Sequence, residues 1–155
     1  MQRAVFAGIV LSLLASGAAF GYWSTAGGGT GTAAASTPSP LTLTPGTPAG
    51  LLYPGGTADL AVTITNPNTY AVRVPQLARD PAQGTGGYAV DATHSACGVG
   101  ALSYTTQTNG GSGWTVPASG SLTLALTGAL SLSSSAANAC QGATFRVYLG
   151  TGSGL

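Results

Sequence analysis

Asp91 and His94 are the residues whose types and spacing come nearest to chemistry. They stand three positions apart in a serine-rich chain, so a Ser/His/Asp set can be drawn on paper. In such a set a carboxylate orients an imidazole, and the imidazole takes the proton of a serine hydroxyl. The Gly-x-Ser-x-Gly turn that presents such a serine in the α/β-hydrolases is missing. Zinc hydrolysis through His-Glu-x-x-His needs a second histidine and a glutamate. The chain has one histidine and no glutamate. Asp59, Asp80 and Asp91 would serve calcium only if the fold gathered them with backbone carbonyls. Read singly, they are turn and strand-end residues. The expectation is a protein that is not an enzyme and uses no cofactor and no metal.

Cys97 and Cys140 are the two cysteines. In an exported chain such a pair reads as a disulfide. It closes a loop of about 44 residues, which contributes on the order of 4 kcal/mol in the chain-entropy model. Zinc fits poorly, since two thiolates and His94 do not complete a tetrahedral shell. Trp114 has two readings. Its alternation with Val116 across Thr115 turns it toward a core, and an exposed Trp114 would be a stacking platform for a glycan.

The balance of charge narrows the partners. Charged residues make up 5% of the 155-residue chain, where about 25% is typical of soluble domains. There is no Lys, and the formal net charge is +1. No basic patch exists to hold a phosphate backbone, so nucleic acid is not an expected partner. The surface must be Ser, Thr, Asn, Gln and Gly, which protects weakly against self-association.

Residues 1–19 read as a signal peptide. Arg3 supplies a positive charge, Ala4–Ala15 is apolar, and Ser16-Gly17-Ala18-Ala19 has the small residues of a cleavage site. Signal peptidase is then a partner, and the membrane is met only in transit. The alternative is retention as an anchor, since extending the run through Trp23 gives roughly 20 residues, enough to span a bilayer. Residues 20–40 form a Gly/Thr/Ser/Pro-rich arm that cannot bury enough apolar surface to order itself. Phe20, Tyr22 and Trp23 open this arm. They are either the tail of the signal region or an anchor that docks into a neighbouring subunit or the membrane interface.

The elements that must position these residues are strands, and residues 41–155 read as the β-domain. Leu60, Val62 and Ile64 alternate with Ala61, Thr63 and Thr65. This period of two gives a strand with one apolar face. Asn66-Pro67-Asn68-Thr69 reads as a reverse turn. Tyr70, Val72 and Val74 then resume the alternation, so Ala58–Leu77 is expected to be a β-hairpin. Shorter strands are expected at Leu41–Thr44, Tyr88–Asp91, Ala101–Thr106 and Trp114–Pro117. Ser121–Thr127 reads as a strong strand and Ala129–Leu132 as a weaker one. Ala143–Gly150 reads as the last strand, with Phe145, Val147 and Leu149 inward. Pro45–Ala49, Ala78–Gly87, Asp91–Gly100, Gln107–Gly113 and Ser133–Gly142 read as turns or loops. Many short strands between Gly/Pro/Asn turns predict an all-β fold, a single two-sheet antiparallel β-sandwich of jelly-roll or Ig-like type.

The order of features also resembles a known group. A hydrophobic leader ends in Gly17-Ala18-Ala19-Phe20-Gly21-Tyr22-Trp23-Ser24. A Gly/Thr-rich arm, Leu41-Thr42-Leu43, Leu52-Tyr53-Pro54-Gly55-Gly56 and the strand Leu60–Thr65 follow. This resembles secreted proteins with SipW-like signal peptides, the TasA and camelysin group, in an actinobacterial form. Cys140-Gln141-Gly142-Ala143-Thr144-Phe145 is similar to the last strand entry of such members. The resemblance implies a jelly-roll-like sandwich, export and assembly into biofilm-matrix fibres. In those fibres an N-terminal segment of one subunit completes the sheet of the next.

The expected function is therefore a secreted structural or cell-surface protein, self-assembling through its N-terminal arm into an extracellular matrix fibre. The alternative is an extracellular binding module or adhesin. It would recognise a glycan or protein through Asp91–Gly100 or Gln107–Gly113, with Trp114 as a contact.

Overall fold

Alternating side chains dictate the two longest strands, and the rest of the fold is arranged on them. The computed structural model describes Thr37–Gly152. Among these residues run eleven strands. They are β1 (Thr42–Leu43), β2 (Thr47–Pro48), β3 (Thr57–Asn66), β4 (Val72–Val74), β5 (Ala78–Arg79), β6 (Tyr88–Val90), β7 (Leu102–Tyr104), β8 (Trp114–Val116), β9 (Gly120–Leu132), β10 (Phe145–Val147) and β11 (Leu149–Gly150). Three short 3-10 turns, at Ala92–His94, Val99–Ala101 and Asn138–Cys140, are the helical pieces among the described residues. None is long and apolar enough to cross a membrane.

The fold is all-β. A curled antiparallel sheet has the order β1-β3-β9-β7, with β2 also on β3. Three two-stranded antiparallel ladders accompany it: β4 with β8, β5 with β11, and β6 with β10. The inward residues of β3 and β9, Leu60, Val62, Ile64, Leu126 and Leu130, share one hydrophobic cluster with Val74, Val116, Phe145, Val147 and Leu149 from the ladders. Burying a side chain of this size stabilises by roughly 1.5–3 kcal/mol relative to exposure, so this cluster is what holds the small ladders against the large sheet.

The expected β-hairpin at Ala58–Leu77 is not formed. Its first strand is β3, but β3 pairs with β9 along Asn66↔Gly120 to Thr57↔Ser131. Its second strand, β4, pairs with β8. The alternation is right and the partner is not, because a period of two sets which face is buried and says nothing about the neighbour. Tyr70, expected inward, is 47% exposed; it still belongs to the corner, and the inward set begins at Val72.

The two segments Ser121–Thr127 and Ala129–Leu132 form one strand, β9, with an irregularity inside. Ala58 lies opposite Leu130 while Leu60 lies opposite Leu126, so Thr127, Gly128 and Ala129 bulge. Gly128 takes φ 58° there, and its N–H donates to Asp59 Oδ1 at 2.8 Å. A bulge of this kind bends the strand and increases its twist, which fits the curl of the sheet.

Other expectations shift by short distances. Ala143–Gly150 divides into β10 and β11, because Tyr148 changes the partner from β6 to β5. Its N–H donates to Gly87 O and its carbonyl accepts from Asp80 N–H, both at 2.9 Å. Thr47–Pro48, inside the expected turn, pairs with Leu60–Ala61. Ala78–Arg79, inside an expected loop, is β5.

One feature of the large sheet is unequal pairing. β9 pairs with β3 on both sides of its bulge, along Gly120–Leu126 and at Leu130 and Ser131. On its other edge β7 pairs only with Leu130–Leu132. Among the described residues no strand lies beside Gly120–Leu126 on that edge. Leu122 and Leu124 in this stretch are only half-buried.

Candidate functional site

Asp91 sits where β6 ends and caps the 3-10 turn Ala92–His94. Its carboxylate accepts from the N–H groups of Thr93 and His94, each at 3.1 Å. It also accepts from the Thr93 hydroxyl. His94 Nδ1 lies 2.7 Å from Oδ1, and Thr144 N–H donates to Oδ2 at 2.6 Å. These donors hold the carboxyl far below the ordinary carboxylate range, with Thr93 the largest cause, then Thr144 and His94. Asp91 and His94 are thus brought together as the sequence suggested. The Thr93 hydroxyl is 3.1 Å from the same ring nitrogen, and among the described residues no serine hydroxyl bonds to the ring. The arrangement orients an imidazole and anchors a loop.

The expected disulfide is present. Cys97 and Cys140 are joined, with Cα atoms 4.7 Å apart, and both are buried. Cys97 follows the turn capped by Asp91, and Cys140 ends the turn that precedes Thr144. The carboxylate and the disulfide therefore fasten the same two loops.

The other aspartates stand apart. Asp59 caps the bulge of β9. Asp80 accepts from Ala82 N–H at 3.0 Å and from Gln83 Nε2 at 2.7 Å. Gln83, then Ala82, lowers its carboxyl below the usual value. Among the described residues no group of three His, Cys, Asp or Glu is placed to hold a metal ion.

Trp114 opens β8 opposite Val74. It is half-buried and packs against the core cluster. The loop before it is tied down from both sides. Arg73 Nε and Nη2 donate to Ser112 O at 3.2 and 2.8 Å, and Asn109 Nδ2 donates to Gly113 O at 2.7 Å. Near β6, the Arg79 guanidinium lies 5.0 Å from the centre of the Tyr88 ring, a cation–π distance. Burial pushes the Tyr88 phenol up, and Arg79 opposes the shift. Burial also raises the Tyr104 phenol, whose hydroxyl donates to Leu77 O at 3.0 Å.

Two asparagines form a cluster that sequence reasoning missed. Among the described residues Asn66 and Asn68 are the buried polar ones, at 1% and 8% exposure. Asn66 Nδ2 donates to Tyr70 O at 2.8 Å, Pro117 O at 3.0 Å and Val116 O at 3.3 Å. Asn66 Oδ1 accepts from the N–H and Nδ2 of Asn68, at 3.0 and 2.9 Å. Asn68 in turn accepts from Ser39 N–H at 2.8 Å and donates to Ser39 O at 2.9 Å. Its amide thus meets the Ser39 backbone as a neighbouring strand would. The signal was legible: Asn66 continues the inward parity of Leu60, Val62 and Ile64, and an inward polar side chain needs partners.

A groove opens beside the disulfide. One wall is 51–54, the other 136–142 with the buried Cys140, and Leu132 completes the lining of about 460 Å3. Leu51 is 77% and Tyr53 64% exposed.

The signal peptide expected at residues 1–19 lies outside the described residues, as do Phe20, Tyr22, Trp23 and the arm as far as residue 36. Compared with protein-family models, with curated proteins and with solved structures, the chain matches none.

Proposed function

We propose that this chain is a secreted or cell-surface structural protein, not a catalyst, whose subunits self-assemble by strand addition into an extracellular matrix fibre. The observation that carries the proposal is the bare edge of β9. Gly120–Leu126 is paired on one side only among the described residues, and Leu122 and Leu124 remain half-buried. A strand laid there gains main-chain hydrogen bonds and covers two leucines. Open edges are normally blunted by charge, above all Lys, and this chain has none.

The N-terminal arm is the proposed donor. It enters the domain at Ser39, whose backbone Asn68 holds in strand-like fashion. The finer architecture belongs to the same proposal: a two-sheet sandwich in which the curled sheet is one layer and the three ladders supply the other. One shared cluster supports that reading. So does the resemblance to the TasA and camelysin group, which implies the same assembly. The disulfide agrees with an oxidising compartment outside the cell.

Sedimentation of the mature chain over a range of concentration tests the proposal. The average mass should rise steeply with concentration. A constant monomer mass up to millimolar concentration would contradict it.

A further inference from the structure

The groove between Leu51–Pro54 and Ala136–Gly142 has no part in strand addition at β9, and it has the chemistry of a binding site. Its walls are fixed before any ligand arrives. Gly55 N–H donates to Leu132 O at 2.8 Å, Leu132 N–H to Gly56 O at 3.1 Å, and Gly56 N–H to Tyr53 O at 2.8 Å. These bonds hold the Tyr53 wall against β9. The opposite wall carries the Asn138–Cys140 turn and is held by the disulfide. A prearranged site loses less ordering entropy on binding, and about 460 Å3 lies within the range of small-ligand sites.

The lining states what would fit. Leu51, Tyr53 and Pro54 offer apolar and aromatic surface, and Ala136 adds to it from the other side. Asn138 and Gln141 are in the lining and exposed to solvent. Among the described residues neither side-chain amide, nor the Tyr53 hydroxyl, has a hydrogen-bond partner. Among the described residues no Asp, Arg or His lines the groove, so no charged side chain in the lining selects a charged ligand. An acyl chain would cover the leucine and the ring but strip water from both amides without replacing it. A pyranose has the needed combination, an apolar C–H face to lie on an aromatic ring and an equatorial rim of hydroxyls for amides.

We infer that this groove binds a neutral oligosaccharide, with Tyr53 as the stacking ring and Asn138 and Gln141 as hydrogen-bonding partners of sugar hydroxyls. The site would attach the protein to a surrounding polysaccharide, and it does so whether or not the chain polymerises. The glycan contact of this inference is Tyr53, whereas Trp114 is half-buried and packs on the core.

The test is a 15N NMR titration of the disulfide-bonded protein with chitohexaose, cellohexaose and maltohexaose in turn. At least one sugar should shift the amides of Leu51, Leu52 and Tyr53 together with those of Asn138 and Gln141. Tyr53→Ala should weaken that binding about tenfold or more, and Trp114→Phe should leave it unchanged. Tyr53 is mostly exposed, so its replacement should leave the remaining spectrum intact. Three outcomes would overturn the inference. One is no response to any of the three sugars at millimolar concentration. Another is a response centred on Trp114. The last is shifts at the groove that track protein concentration instead of sugar, which would make it a contact between copies.

Discussion

Asp91 accepts a 2.6 Å hydrogen bond from the backbone of Thr144, a residue far along the chain and four positions beyond Cys140. This bond and the Cys97–Cys140 disulfide cross between the same two loops. Asp91 is depressed in the folded state. A carboxyl shifted in that direction stabilises the fold above its unfolded pKa and loses that contribution as the pH falls. Asp91→Ala should therefore lower the thermal midpoint at pH 7, and by more than Asp80→Ala does. The gap between wild type and Asp91→Ala should begin to narrow as the pH drops below about 4. Thermal unfolding followed by circular dichroism from pH 7 to pH 2 measures this. A gap that stays constant over that range would contradict the role given to the carboxylate.

Asn66 satisfies three backbone carbonyls from a buried position. Asn66→Ala leaves them without that donor, at a cost of about 2–3 kcal/mol. Urea unfolding should show a lower midpoint with an unchanged slope. Asn68→Ala removes the two bonds to Ser39 and should cost less. Its signature is faster hydrogen exchange at the Ser39 amide, with exchange in β3 unaltered.

The two asparagines also mark how far the sequence could be read. Alternation located Leu60–Thr65, Val72–Val74, Leu122–Leu126 and Phe145–Leu149 and assigned most of their faces, because burial follows a period of two. It did not locate partners. β3 pairs with β9 and β4 with β8, and Asn66 at the corner bonds to the carbonyls of Val116 and Pro117, a long-range contact that a period of two does not encode. The disulfide was legible from two cysteines in a chain read as exported. The groove at Tyr53 was not, since its walls come from segments about 80 residues apart, joined only by the fold.

Gly113 takes φ 64°, and a Cβ placed there would lie 2.5 Å from Val74 O. Gly113→Ala combines left-handed strain with a backbone clash and should cost at least about 2 kcal/mol. Gly111, in the same loop at φ 86°, has open space around it. Gly111→Ala should cost only about 1 kcal/mol. Paired chemical denaturation curves separate the two. Equal losses would mean that the loop before Trp114 is not held against β4.

Thr123 and Ala125 are exposed on β9 within the bare stretch. Lysines there add charge to the edge without entering the core. The double substitution Thr123→Lys/Ala125→Lys should suppress self-association while moving the thermal midpoint by only a few degrees. Light scattering at matched concentrations reads the first effect and calorimetry the second. Undiminished association would place the contact elsewhere on the molecule.

Assembly by strand addition from the arm requires residues that precede Leu41. Electron microscopy of a chain beginning at Phe20, beside one beginning at Leu41, tests it. Filaments are expected from the longer chain and separate particles from the shorter one. Separate particles from both chains, at concentrations where the protein is folded and disulfide-bonded, would contradict it.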